Sequence, residues 1–331
     1  MFTEIQSYHA LNQALHSDYG ALKKSLEKYG SWPAAWKAEQ ARYPHLNAEK
    51  SWEQLQSLGI DLILFQNPQY PPLLKEIPWP PFGIYIKGSL PATTAIAIVG
   101  TRKATPHGIL FARRLARDLG NFSVTIVSGL ALGIDAMAHQ GALDGGVPTV
   151  AVLANGLDTV YPASNHNLAH AILHAGGALL SEYPPGHPSY PSNFIHRNRI
   201  VSGLATATIV IEAPEKSGSL ATARFALEQN REVCVVPGPL EHPNYQGSYQ
   251  LIRAGARLVT SAEDIAEDLN LVPRVSPSQS THLSGEEQRI MDIIKEVGWP
   301  TSIDKIAEIS KIEVHKVNQI ITFLTIKGML S

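Results

Sequence analysis

The chain has 331 residues, of which 44% are hydrophobic and 17% charged, and its formal net charge is −2. That balance excludes a blanket polybasic nucleic-acid binder, and no apolar run reaches the roughly 18 residues that a membrane-spanning helix needs. The single cysteine, Cys234, excludes an internal disulfide and a cysteine-based zinc cluster and reads as a buried strand residue.

The start, MFTEIQSYHALNQALHSDYG, is polar and mixed, without a basic segment followed by an apolar one, so a cytoplasmic location and no membrane partner are expected. Residues 1–65 are predicted to form a small helical (SAM-like) module. Its stretch LKKSLEKYGSWPAAWKAEQ has helical spacing, a stop at Gly30, and Ser31 capping a helix with Pro33 in its first turns. The prolines of FQNPQYPPLLKEIPWPPFGIYIKG forbid a long helix and predict an extended connector leading to a strand at Gly83–Lys87.

From Ala95 to about Asp268, short apolar runs alternate with amphipathic stretches. The strands AIAIVG, VTIVSG, PTVAVLANG, GALLSE, ATIVIE and REVCVVPG are separated by helices over Ile109–Leu119, Ile134–Leu143, Asn165–His174, NFIHRNRIVSGL and SGSLATARFALEQN. Continuously apolar, β-branched strands between helices indicate a parallel sheet buried on both faces. The fold class is therefore α/β: an extended Rossmann-like, doubly wound, mostly parallel sheet, carried with its connector by residues 66–269. A Pro/Ser-rich linker is expected at 270–283. Residues 284–331 have helix-turn-helix spacing suited to a winged-helix-like module, opened by a capping box at Ser284 and Glu287.

Ligands of an open parallel sheet sit outside the carboxyl ends of its strands. Here those ends run into GTRKATPHG, SGLALGID, SEYPPGHPSYPSNF, EAPEKSGS and PGPLEHPNYQGS. Small residues there let backbone N–H groups and helix N-termini face an anion, while the hydroxyls of Thr101, Ser128, Ser217 and Ser219 add neutral donors. Gly100 and Gly108 are too far apart for a dinucleotide fingerprint, and no G-x-x-x-x-G-K-[ST] loop occurs, so neither NAD nor an ordinary ATPase loop is expected. In SNFIHRNRI, Asn193 and Arg197 are four residues apart and are expected to face the crevice mouth together, with Arg102, Arg197 and Arg199 gripping phosphates. Phe194 is left between core packing and base stacking, and pairing of the arginines with Glu182 and Glu212 is the competing reading. His166, His170 and His174 share a helix face and read as exposed. Asp135 reads as a capping carboxylate and His139 as a surface residue. No metal and no cofactor are expected.

The ordered motifs YPPLLKEIPWPPFGIYIKG, IVGTRKATPHG, VSGLALGIDAMAHQGAL, VLANGLDTVYP, LLSEYPPG, NFIHRNRIVSGLA and SGSLATARFALEQNREVCVVPG, spanning about Tyr70 to Asp268, resemble the DNA-processing protein A (DprA/Smf) family. The resemblance implies a non-enzymatic protein that binds single-stranded DNA entering a bacterial cell in natural transformation and helps load the RecA recombinase onto it. It assigns DNA contacts to Gly100, Thr101 and Arg102, to Ser128 and Gly129, to Asn193, Phe194, Arg197, Asn198 and Arg199, and to Ser217, Gly218 and Ser219. It also implies a homodimer through Val235–Val259. The G-x-G hairpin of many relatives is missing from the N-terminal module, and Leu132 stands where many carry Arg. The rival reading is a nucleotide hydrolase or phosphoribohydrolase with Glu182 or Glu212 as its acid.

Overall fold

The computed structural model describes residues 2–274 and 285–326. The chain divides into two compact units, Met1–Arg274 and Val275–Ser331.

The first unit is organised by a nine-stranded sheet. Its strands are β1 (Asp61–Leu64), β2 (Gly83–Gly88), β3 (Thr94–Val99), β4 (Val124–Ser128), β5 (Thr149–Val152), β6 (Ala178–Ser181), β7 (Ala207–Val210), β8 (Glu232–Val235) and β9 (Arg257–Leu258). The order across the sheet is β1-β2-β6-β5-β4-β3-β7-β8-β9. From β6 to β9 every pairing is parallel; β2 joins β6, and β1 joins β2, antiparallel.

Both faces of the parallel part are covered, which is why its strands read as unbroken apolar runs. Side chains alternate between the faces. Ala97 and Val99 pack with Ile200, Val201 and Ala223 from the helices Pro191–Gly203 and Gly218–Glu228. Ile96 and Ile98 pack on the other side with Ala112, Leu115 and Ala138 from Pro106–Asp118 and Ile134–Asp144. Cys234 is buried in this second layer, as its strand position implied. The chain leaves β3 first toward β4 and later toward β7, so the direction of winding reverses at β3, and a crevice opens beyond its carboxyl end.

The amino-terminal helices Glu4–Ala14, Tyr19–Tyr29, Trp32–Glu39 and Ala48–Ser57 each begin at a side-chain cap, from Thr3, Asp18, Ser31 and Asn47 respectively. Gly30 ends the second helix at φ 76°, a left-handed conformation that suits glycine. Sequence reading missed β1, because four residues, DLIL, are too few to establish a period. The boundary expected at residue 65 falls between β1 and its partner β2. Tyr8, Leu11 and Trp32 share one core with Tyr85, Ala151 and Leu179 of the sheet.

Part of the expected linker is tied down: the Ser123 N–H donates to the Val272 carbonyl at 3.0 Å, and the Arg274 N–H to the Asn121 carbonyl at 2.7 Å. In the second unit, the helices Gly285–Val297, Ile303–Ser310 and Val314–Ile326 bury Ile290, Ile294, Ile306, Val317 and Leu324 against one another. The capping residue expected at Ser284, the linker from residue 275 and the KGMLS end lie outside the described residues. Among the described residues, no helix is long and apolar enough to cross a membrane.

Candidate nucleic-acid groove

The loops after β3, β4 and β7 and the start of the helix Pro191–Gly203 enclose a groove of about 590 Å³. Backbone fit sets its floor. A Cβ on Gly100 would lie 2.5 Å from Ile134, and one on Gly133, at φ 78°, would lie 2.4 Å from the Thr101 carbonyl, so the first two loops are pressed together where only glycine fits. The Thr101 N–H is held by the Glu212 carbonyl at 2.7 Å, and its hydroxyl accepts the Lys103 N–H at 3.2 Å.

On the opposite wall, Ser217 caps the helix Gly218–Glu228. Its hydroxyl lies 2.7 Å from that of Ser219, and Asn198 reaches across to the Gly218 carbonyl at 3.2 Å. A helix start lined with hydroxyls offers N–H groups and a favourable dipole to an anion. Arg102, Lys103 and Lys216 are exposed on the same groove. Sequence reading singled out only the first of these.

Aromatic rings line the mouth. Phe194 is half-buried, the Arg102 guanidinium lies over its ring at 4.9 Å from the centroid, and the ring of Tyr161 is 5.5 Å away, tilted by 56°. Tyr161 is 48% exposed and also lines the groove. It was missed as a site residue, although it ends VLANGLDTVYP, the loop that follows a parallel strand.

Arg197 is placed otherwise than expected. It lines the groove but is only 3% exposed, and one terminal nitrogen donates to the carbonyls of Gly129, at 2.7 Å, and Val152. Asp135 faces it from below, accepting the N–H groups of Gly129 and Ala131 at 3.1 and 3.4 Å. A Cβ on Gly129 would sit 2.4 Å from Arg197 and 2.7 Å from Asp135. Burial lowers the Arg197 pKa to about 10, against the pull of Asp135. It raises that of Asp135, against Arg197 and the two amides. Arg197 thus braces the loop after β4.

Three further predicted site residues point away from the groove. Ser128 is buried and donates its hydroxyl to the Ile98 carbonyl at 2.6 Å. Asn193 is buried, its amide directed at the Ala154 carbonyl at 3.2 Å and the His187 ring at 3.1 Å, because the face shared by Asn193 and Arg197 turns inward. Arg199 is locked to both oxygens of Glu182 at 2.7 Å and donates to the Trp79 carbonyl at 3.0 Å. The groove therefore collects Gly100, Thr101, Arg102, Gly129, Phe194, Arg197, Asn198, Ser217, Gly218 and Ser219.

The carboxylates of the rival reading are both engaged. Glu182 pairs with Arg199. Glu212 accepts from Thr105, Asn244 and Tyr245 at 2.5–3.0 Å. Burial would raise the Glu212 pKa, but these donors outweigh it and leave the carboxyl below its usual range. His139, expected at the surface, is fully buried with Nδ1 2.7 Å from the Thr149 hydroxyl, and burial lowers its pKa to about 3. His166, His170 and His174 are exposed. Among the described residues, no group of three or more potential ligands could hold a metal ion.

The family described as DNA recombination-mediator protein A matches residues 61–270. Protein Smf of Escherichia coli (strain K12) is 38% identical over 275 residues, 80% of this chain and 74% of that protein. DNA processing protein DprA of Bacillus subtilis (strain 168) is 43% identical over 215 residues, 64% of this chain and 72% of that one. Among solved structures, DNA processing protein A from Streptococcus pneumoniae matches with TM-score 0.66 at 32% identity, over 80% of this chain and 93% of its own. DNA processing protein A from Helicobacter pylori, whose structure concerns a single-stranded DNA binding mode, matches with TM-score 0.57 at 30% identity, over 64% and 95%. A groove of loop amides, hydroxyls, cations and aromatic rings at the winding reversal of the sheet, in a chain with these relatives, has one family to answer to: the chain belongs to the DNA recombination-mediator protein A family.

Proposed function

We propose that the chain binds single-stranded DNA in this groove, protects the incoming strand in natural transformation and helps load RecA onto it, with no catalytic step of its own. The observation that carries the reading is the pairing of exposed cations, Arg102, Lys103 and Lys216, with the rings of Phe194 and Tyr161 along one open groove. Cations track a phosphate backbone, and aromatic faces accept any base, which together favour single strands without sequence preference. A hydrolase needs a carboxyl free to exchange a proton with substrate, whereas Glu182 is held by both terminal nitrogens of Arg199 and Glu212 by Thr105, Asn244 and Tyr245.

The RecA role and a homodimer rest on the family relationship. Leu258, 53% exposed on the last strand of the sheet, supports self-association at that edge.

The test is a gel-shift titration with single-stranded and duplex oligonucleotides of one length at two salt concentrations. Far tighter binding of the single strand, weakening with salt, is the expected result; equal affinity for duplex would refute the reading.

A further inference from the structure

A second recess of about 320 Å³ lies beside the loop that carries Tyr161. One loop borders both spaces, because Tyr161 lines the groove while Asp158, Thr159 and Val160 line the recess. A strand that leaves the ring of Tyr161 along this loop would meet the recess.

The recess gathers positive or proton-donating groups from two elements that are far apart in sequence. Lys87 comes from β2, and His166 and His170 from the helix His166–His174. The two imidazoles are 4.5 Å apart at their centroids, as residues four apart on one helix face should be. Lys87 is half-buried, and no ion pair or hydrogen bond holds its ammonium among the described residues. An ammonium without a protein partner is free to donate its N–H groups to an arriving anion. One carboxylate, Asp158, lies in the recess, and an oxygen of it already accepts the Gly186 N–H at 2.9 Å. With no group of three or more potential metal ligands among the described residues, the two imidazoles suit hydrogen bonds to phosphate oxygens better than a metal ion.

We propose that this recess is a second station for the phosphate backbone of a single strand that leaves the groove over Tyr161. The inference rests on the single-stranded DNA reading of the groove and adds the direction in which the strand runs on. Once the groove is occupied, contact at the recess is intramolecular, so a strand long enough to reach it gains affinity without a second association cost. Each phosphate neutralised there releases about 0.7 of a counterion.

Oligothymidylates of increasing length, titrated against the full chain over a range of salt concentrations, test this. The shortest should bind the wild type and Lys87→Gln alike. Above a threshold length the wild type should gain affinity and salt dependence, and Lys87→Gln should lose about 0.7 of the slope of log affinity against log salt. Lys87→Arg should retain it. The double variant His166→Gln/His170→Gln, altered only on an exposed helix face, should weaken long strands several-fold and leave short ones unaffected; it carries the test if melting shows Lys87→Gln to be unfolded. A loss equal at all lengths, or no loss at the longest, overturns the second station while leaving the groove intact. No binding of any strand by the wild type overturns the groove reading, and this inference with it.

Discussion

Arg197 and Arg102 line the same groove, yet one is buried against Asp135 with its guanidinium on two backbone carbonyls and the other is exposed across the ring of Phe194. The difference separates charge that builds the site from charge that can meet a ligand. The buried guanidinium fixes the loop after β4 through one terminal nitrogen, which donates to two backbone carbonyls. An exposed one over an aromatic face is held by an interaction of only about 0.5–1 kcal/mol and is free to exchange it for a phosphate. The same division runs along a single helix, where Arg199 two residues on belongs wholly to the interior through Glu182.

The largest effects should fall on the interior side. Arg199→Ala leaves the Glu182 carboxylate without its partner and should lower folding stability by about 3–5 kcal/mol; Arg197→Ala removes the guanidinium from the Gly129 and Val152 carbonyls and should lower it by about 1–3 kcal/mol, both read from urea denaturation. Should Arg197→Ala remain as stable as the wild type but lose salt dependence of binding, the division between interior and rim is wrong at that residue.

On the rim, Phe194→Ala should weaken single-strand binding by about 1–3 kcal/mol in a titration, with an unchanged salt slope and a nearly unchanged melting temperature. A collapsed melt would move this ring to the interior side.

A pH titration of stability sharpens the contrast, because the interior holds neutral histidines. Burial lowers the pKa of His139 to about 3 and that of His9 to about 4, while the unfolded chain titrates near 6.5. Below about pH 6.5 the unfolded state takes up protons that the folded state refuses, so stability is fully present above that pH and falls as the pH drops. Each histidine should contribute about 1.4 kcal/mol per pH unit between pH 6 and 5, and His139→Gln should remove its share of the slope.

The smallest effect is expected for Arg102→Ala. It should flatten the slope of log affinity against log salt by about 0.7, and its folding stability should stay within about 0.5 kcal/mol of the wild type.

The parallel sheet was legible because strands covered on both faces must be apolar throughout, as AIAIVG and VTIVSG are. The groove loops were legible because glycine and serine gather after those strands. What the sequence concealed was rotation. The helix Pro191–Gly203 buries Asn193, Arg197 and Arg199 along with Ile200 and Val201, so no apolar stripe marks its inward side. The outward placement of Asn193 and Arg199 failed for that reason. His139 was misplaced for a related one: Ala136, Ala138 and Ala142 around it let the helix approach the sheet closely enough to cover an imidazole. Tyr161 escaped because its loop carries no basic residue to draw attention.

The antiparallel pairing of β1 with β2 bears on how this chain can be shortened. Removal of residues 1–65 would strip β2 of its neighbour and uncover Ile84, Tyr85 and Ile86, all now buried. A bare strand edge with such side chains is a template for pairing between molecules. A trimmed protein of that kind should aggregate both through the exposed edge and through the face of Tyr85, Ala151 and Leu179 that the lost helices covered. Trimming that keeps β1 leaves β2 paired and is the way to ask what the helices alone contribute.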